Sequence, residues 1–355
     1  MELFMKRSIS LLAISIFLFT ALLQAKNKGF EEPTEEQKWL QRAEEQTNLR
    51  TLGAKPFHML VKFHAYPGLE LVPDNKRQII TGDGTYEETW LDLHHWRREV
   101  TFGAYHAVEI DSGLARKMQA SSDYEPVRVL MLMEALLFPV PKNVAWPNPS
   151  DIPLNWKMKK NSILSADKIH TIDFVKIERM EECGYYYSYL FLPSGLLLQR
   201  NDEGLAFGRQ DQMRYGDKVV ARQITIQAGG RNLLTADISI ESTGSLSAEL
   251  FDQPGNPAEP GMTLRPIHIG EAQAPETDRN ISGFGLLPGY LTLGQVVTRN
   301  GERRETEVFD TDDQSKAKVL LDMFRSIRIY RPARIDESPC ELFYNSSYGL
   351  RGCGQ

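Results

Sequence analysis

Cysteine is scarce in this chain: Cys183, Cys340 and Cys353 are the three in 355 residues. That excludes a disulfide framework or a cysteine-rich metal cluster as the basis of the fold. Positive charge is not in excess, since 41 Lys and Arg stand against 47 Asp and Glu for a net charge of −6. No basic stripe with interleaved aromatics occurs either, so a nucleic-acid partner held through its phosphates is excluded. After residue 25 no hydrophobic run is long enough to span a bilayer. A nucleophile elbow is missing: Ser194 lies in a Pro-Ser-Gly turn, and Cys183 stands beside Glu181 and Glu182, which disfavour its thiolate. Gly229, Gly230, Gly283 and Gly285 are turn residues that open no phosphate-binding helix. Histidines number seven. His94-His95 is the visible candidate for a metal, but neighbours on a strand point apart. No Cys, Asp or Glu spacing around His58, His64 or His106 completes a ligand set. No catalytic residue, metal or cofactor is therefore expected.

What is present is an ordinary globular mixture, 41% hydrophobic and 25% charged, long enough for two or three domains with their own cores. Its first residues follow the order of a secretory signal: Lys6 and Arg7, an apolar run from Ile9 to Leu23, then Ala25. The run is shorter than the roughly 20 residues a spanning helix needs. Residues 1–25 are expected to direct export to a periplasm or cell envelope; the alternative is an uncleaved anchor, the one expected route to membrane association. No cysteine follows the run to carry a lipid. In that oxidising setting Cys340 and Cys353 could staple a short tail, contributing about 3 kcal/mol, with Cys183 left over and buried. The sequence leaves the pairing open.

The chain is organised around Gly84–Ile110, an expected meander of three antiparallel strands. Alternation puts Tyr86 and Trp90 on one face, with Thr85, Glu87 and Thr89 on the other. The next strand adds Trp96, Val100 and Phe102 to the apolar side, and the third is expected to add Val108 and Ile110. Glu87 and Glu88 fall where Arg97 and Arg98 could be cross-strand neighbours. Tyr86, Trp90, Trp96, Val100, Phe102 and Val108 are thus the candidate lining of an apolar-ligand site.

Around this centre, residues 33–50 read as a helix capped by Thr34, and 57–66 as a strand. Residues 124–138 read as a second helix, with Asp123 as candidate cap and apolar residues nearly all round, hence buried. From Trp156 to Glu241 strands and tight turns alternate. Roughly ten or more such strands should curl strongly. The fold class expected is α+β: over residues 30–251 a large curled antiparallel sheet, half-barrel-like, with plugging helices. The proline-rich stretch 252–280 reads as a linker. Residues 281–344 read as a small ββαβ unit with an Asn300-Gly301 hairpin and a last strand Glu341–Tyr344, followed by a tail, 345–355.

Gly289-Tyr-Leu-Thr-Leu-Gly-Gln-Val-Val-Thr, Asn300-Gly301, the following helix and Tyr330-Arg-Pro-Ala333 resemble the C-terminal domain of TonB-type energy transducers. Leu52-Gly-Ala-Lys-Pro-Phe57, Gly84-Thr-Tyr-Glu-Glu-Thr-Trp90 and Trp96-Arg-Arg-Glu99 resemble exported acidobacterial proteins that carry such a module. The curled sheet with plugging helices is similar in plan to the lipoprotein carriers LolA and LolB. These resemblances imply a cell-envelope binding protein of a Gram-negative bacterium. Its large domain would hold an apolar ligand or lipid. The edge Glu341, Leu342, Phe343 and Tyr344 would accept an extended peptide or envelope protein by strand addition. Two alternatives stand beside it: a lipid or lipoprotein carrier in which the small domain only docks, and a hydrolase assembled from distant strands.

Overall fold

The structure is a computed structural model that describes residues 32–67, 80–113, 116–122, 125–140, 156–164, 171–179, 186–202, 204–243, 248–251 and 263–266; in the C-terminal part it describes 290–297, 303–311, 317–319, 321, 334–335, 338–339 and 342–349. In chain order the first elements are helix α1 (Glu35–Thr47) and strands β1 (Phe57–Ala65), β2 (Gly82–Asp92), β3 (His95–Phe102), β4 (Tyr105–Ser112) and β5 (Arg116–Ala120). Helix α2 (Val127–Leu137) follows, then β6 (Trp156–Leu164), β7 (Thr171–Arg179), β8 (Tyr186–Phe191), β9 (Leu197–Asp202), β10 (Leu205–Tyr215), β11 (Lys218–Ala228) and β12 (Arg231–Ser242). A 3-10 turn (Ala248–Phe251) and β13 (Thr263–Pro266) precede the C-terminal strands β14 (Tyr290–Val297), β15 (Arg303–Thr311), β16 (Arg334–Ile335), β17 (Ser338–Pro339) and β18 (Leu342–Gly349).

Thirteen strands form one antiparallel sheet in the order β13-β5-β4-β3-β2-β1-β12-β11-β10-β9-β8-β7-β6. Nearly every neighbour in space is a neighbour in sequence, as tight hairpins dictate. The exceptions are β13, which pairs with β5, and β1, which pairs with β12, Phe57 opposite Ser242, and so joins the two meanders into one surface. The sheet is not closed: β13 and β6 are its edges. Residues 263–266, in the stretch expected to be linker, pair with β5 and cover its outer backbone groups.

Inner side chains follow from the registers. Phe57, Met59, Val61 and Phe63 on β1, Tyr86 and Trp90 on β2, Trp96, Val100 and Phe102 on β3, and Ile224 and Ile226 on β11 share one buried cluster with α2. Helix α1 covers the other half of that face. Its Leu40 and Ala43 pack with Val175, Ile177, Tyr189, Phe191 and Leu197. It begins as expected: the Thr34 side chain accepts from the Gln37 amide while the Gln37 side chain accepts from the Thr34 amide. Helix α2 starts later than expected. Pro126 holds the N-cap position in extended conformation and no side chain caps the end. A residue before proline disfavours helical backbone, so the helix has no route back towards residue 124.

Gly84 faces Phe63 across the β1–β2 pair, and a Cβ at Gly84 would sit inside the Phe63 ring. The ring is buried and packs on Phe102 at 5.1 Å between centroids, so it has little room to yield. Gly84→Ala is expected to cost about 1–3 kcal/mol through overpacking, read by denaturant unfolding; an unchanged midpoint would contradict this packing.

In the C-terminal part, β14 pairs with both β15 and β18, giving the order β15-β14-β18, and residues 317–319 and 321 are helical. The last strand runs from Leu342 to Gly349, so it continues into the stretch expected to be a tail. Leu342, Phe343 and Tyr344 lie opposite Val297, Val296 and Gln295 on this outer strand. Glu341, Cys340, Cys353, Cys183 and residues 1–25 lie outside the described residues. No described helix is long and apolar enough to cross a membrane.

Candidate functional site

The inner face of the curled sheet is the candidate site. Trp90 and Trp96 are cross-strand partners. Trp90 also stacks on Phe57, with ring centroids 5.6 Å apart and planes at 16°. Tyr86, Val100 and Phe102 lie on the same face. Five of the six expected lining residues therefore come together. Val108 does not. The β3–β4 hairpin pairs Phe102 with Tyr105 and Val100 with Ala107, which puts Val108 opposite Glu99 on the outer face. There Val108 and Ile110 are buried under Phe251 of the 3-10 turn. Strand β4 is apolar on both sides, so hydrophobicity alone assigns its face wrongly.

The same parity brings charges inside. Glu88 lies between Tyr86 and Trp90 and is fully buried. The Arg50 guanidinium donates to Glu88 at 2.6 Å and stacks 4.4 Å from the Trp96 ring. The Tyr86 hydroxyl also donates to Glu88. Arg98, opposite Glu88, is paired with Glu109 at 2.6 Å and with Glu125 at 3.4 Å. Burial drives the Tyr86 hydroxyl well above its ordinary pKa, and the neighbouring Glu88 charge adds to the effect. Burial alone would lower Arg98, but Glu109 and Glu125 outweigh it and the net shift is upward. The result is an apolar trough with ion pairs set into its wall.

Helix α2 fills that trough. Val127, Val129, Met131, Leu132, Ala135, Leu136 and Leu137 are all buried. The gaps left beneath its C-terminal half are about 10 Å³ each, lined among others by Leu136, Arg209, Ile224 and Ile238 and by Ala135, Leu197, Arg200 and Phe207. Such a gap holds about one water, where a drug-sized ligand takes roughly 300–1,000 Å³. The inner face is thus occupied here by the chain itself. An apolar ligand lying on this part of the face would take the place of α2.

Polar contacts hold α2 at both ends. Arg128, at its start, makes a bidentate pair with Glu307 of β15, at 2.7 and 2.8 Å, and donates to Tyr66 O at 3.3 Å. Both side chains are within 1% of complete burial. At the other end Arg200 of β9 donates to Glu134 at 2.7 Å and to Phe138 O at 3.2 Å. Arg209 of β10 donates to Ala135 O at 3.3 Å and to Val219 O at 3.4 Å.

The histidines lie elsewhere. On the outer face His58 bridges Glu87 and Glu241 at 2.8 and 3.2 Å, and His64 meets Asp83 at 2.7 Å. His95 turns back to Asp92, and His106 meets Glu99 at 3.1 Å. Among the described residues no three metal-ligating side chains converge.

No family model matches this sequence, and no curated protein matches it. Solved structures do. One is a DUF1329 family protein from Desulfovibrio piger, 9% identical, covering 61% of this chain and 95% of its own at a TM-score of 0.35. Another is a LolA superfamily protein from Nitrosomonas europaea, 12% identical, covering 62% of this chain and 99% of its own at a TM-score of 0.28.

Burial, with the Arg200 charge nearby, brings the Arg209 guanidinium down to about 10. A cation whose pKa is lower folded than unfolded costs stability at every pH below the folded value, and the cost fades only as pH rises past it. Arg209→Met is therefore expected to leave stability unchanged or raise it, by on the order of 1–3 kcal/mol, in denaturant unfolding at pH 7. A clear loss would contradict this account of Arg209.

Proposed function

We propose that this chain is an exported, non-enzymatic carrier of an apolar acyl chain, with α2 as a plug that yields its place in the trough to the cargo. One observation carries the proposal. The apolar side of the open sheet is covered by a short helix that is apolar nearly all round and has no side-chain cap. Such a helix has little intrinsic stability away from the sheet, so an acyl chain offering equivalent apolar contact can exchange with it. At 11 residues α2 leaves a trough roughly 16 Å long, the order of a medium-length acyl chain. The resemblance in plan to LolA and LolB supports the same reading, and the N-terminal signal pattern supports export. In this scheme the C-terminal sheet docks on the plug through Glu307.

A second reading concerns β18, an outer strand of the three-stranded sheet. A strand in that position offers backbone donors and acceptors to an extended peptide of an envelope partner. The carrier proposal does not require it.

The carrier proposal is tested by incubating the full chain with vesicles containing a pyrene-labelled acyl lipid and separating the two by gel filtration. Label is expected to elute with the protein at a fixed stoichiometry. Protein that elutes bare at every lipid concentration would refute the proposal.

A further inference from the structure

Among the described residues, the arginines set against the inner face are matched, with one exception. Arg50 has Glu88, Arg98 has Glu109, Arg128 has Glu307 and Arg200 has Glu134. Arg209, only 6% exposed, has no carboxylate partner among the described residues. Its Nε has no acceptor, and its two hydrogen bonds are long ones to neutral carbonyls. It also lines both of the small cavities beneath α2, and Arg200 shares one of them. Desolvating a guanidinium without a counter-ion is costly.

Of the two carbonyls that face it, Val219 O belongs to β11 and Ala135 O to the plug. Ala135 O, which accepts from Arg209, and Phe138 O, which accepts from Arg200, lie at the C-terminal end of α2, the negative end of the helix dipole. When α2 leaves the trough, these carbonyls and the Glu134 carboxylate leave with it. Arg209 then keeps Val219 O alone, and Arg200 loses both of the acceptors that hold it here. Two neighbouring guanidiniums would stand in a largely apolar trough, among Phe207, Leu197 and Ile224, without the helix groups that now receive their protons. Among the described residues, the buried Asp202 carboxylate, two residues from Arg200 on β9, would remain as the one negative charge acting on the pair. An oxyacid anion has the charge and the lone pairs to replace those groups, and guanidinium suits carboxylate and phosphate geometry.

We propose that Arg209, with Arg200 beside it, receives the anionic head group of the acyl cargo, so that the ligand is a chain-bearing carboxylate or phosphate whose tail takes the place of α2. This rests on the carrier proposal and names its substrate class. The exchange is balanced: the Glu134 carboxylate and the negative end of the helix leave, and an anionic head group enters.

The test titrates the full chain with oleate, oleyl phosphate, oleyl alcohol and inorganic phosphate, following tryptophan emission and calorimetry. An anionic chain is expected to bind about tenfold or more tightly than the alcohol, and the tighter of oleate and oleyl phosphate identifies the head group. In Arg209→Gln the ratio of anion to alcohol affinity should fall close to one, and Arg209→Lys should retain part of it. Should neither variant fold, the comparison on the native chain still decides. Equal binding of the alcohol and both anions would overturn the head-group site while leaving the carrier intact. Inorganic phosphate binding as tightly as oleyl phosphate would also overturn it, because the site would then be one for small anions. If no chain-bearing ligand binds, the carrier proposal falls and this inference with it.

Discussion

Arg128→Met is expected to destabilise the protein by about 3–5 kcal/mol, because it leaves the Glu307 carboxylate buried with no cation. The two side chains are essentially inaccessible, and the guanidinium grips both carboxylate oxygens. Such a pair adds little over well-packed apolar groups, yet breaking one side of it is costly. The double change Arg128→Met with Glu307→Leu should accordingly recover most of the loss, to within about 1 kcal/mol of the native chain. Denaturant unfolding followed by far-UV circular dichroism checks both. A single change costing less than about 1 kcal/mol would mean the pair is wet and weak, and the C-terminal sheet would then not restrain α2. The same substitution carries a functional expectation. A plug held less firmly is more readily exchanged, so the surviving folded fraction should bind an acyl chain more tightly than the native protein does.

Glu88→Ala is expected to cost a similar amount, about 3–5 kcal/mol, while Glu87→Ala, one residue away, should change stability by no more than about 0.5 kcal/mol. Glu88 accepts from Arg50 and Tyr86 on the inner face. Glu87 points outward to His58 and is about half exposed. The contrast depends only on strand parity. Comparable costs for the two would mean that β2 does not present Tyr86, Glu88 and Trp90 to the same side.

That pair of residues also marks where the sequence stops being legible. Alternation along 84–102 predicts the strands and places Tyr86, Trp90, Trp96 and Phe102 together, and Thr34 with Gln37 predicts the start of α1. By the same alternation Glu88 belongs with Tyr86 and Trp90, and Arg98 with Trp96 and Val100. Their charge argues for solvent, yet each is rescued by a partner on another segment: Glu88 by Arg50, 38 positions away, and Arg98 by Glu109 across the hairpin. Val108 fails for the opposite reason, since an apolar side chain on β4 satisfies either face once the 248–251 turn covers the outer one. The Arg128–Glu307 pair spans 179 positions, and no local pattern encodes a contact of that range. The buried apolar helix was legible, as was its place against the sheet. That it fills the trough which a ligand would need follows only from the packing.

The most direct test of that claim is hydrogen exchange across residues 127–137, measured by mass spectrometry on the full chain with and without saturating oleate. The account predicts slow exchange in the free protein and a marked rise in α2 when the acyl chain is bound, with the β1–β3 amides remaining protected. Oleate bound at one equivalent with α2 protection unchanged would contradict it, because the cargo would then lie somewhere other than the trough.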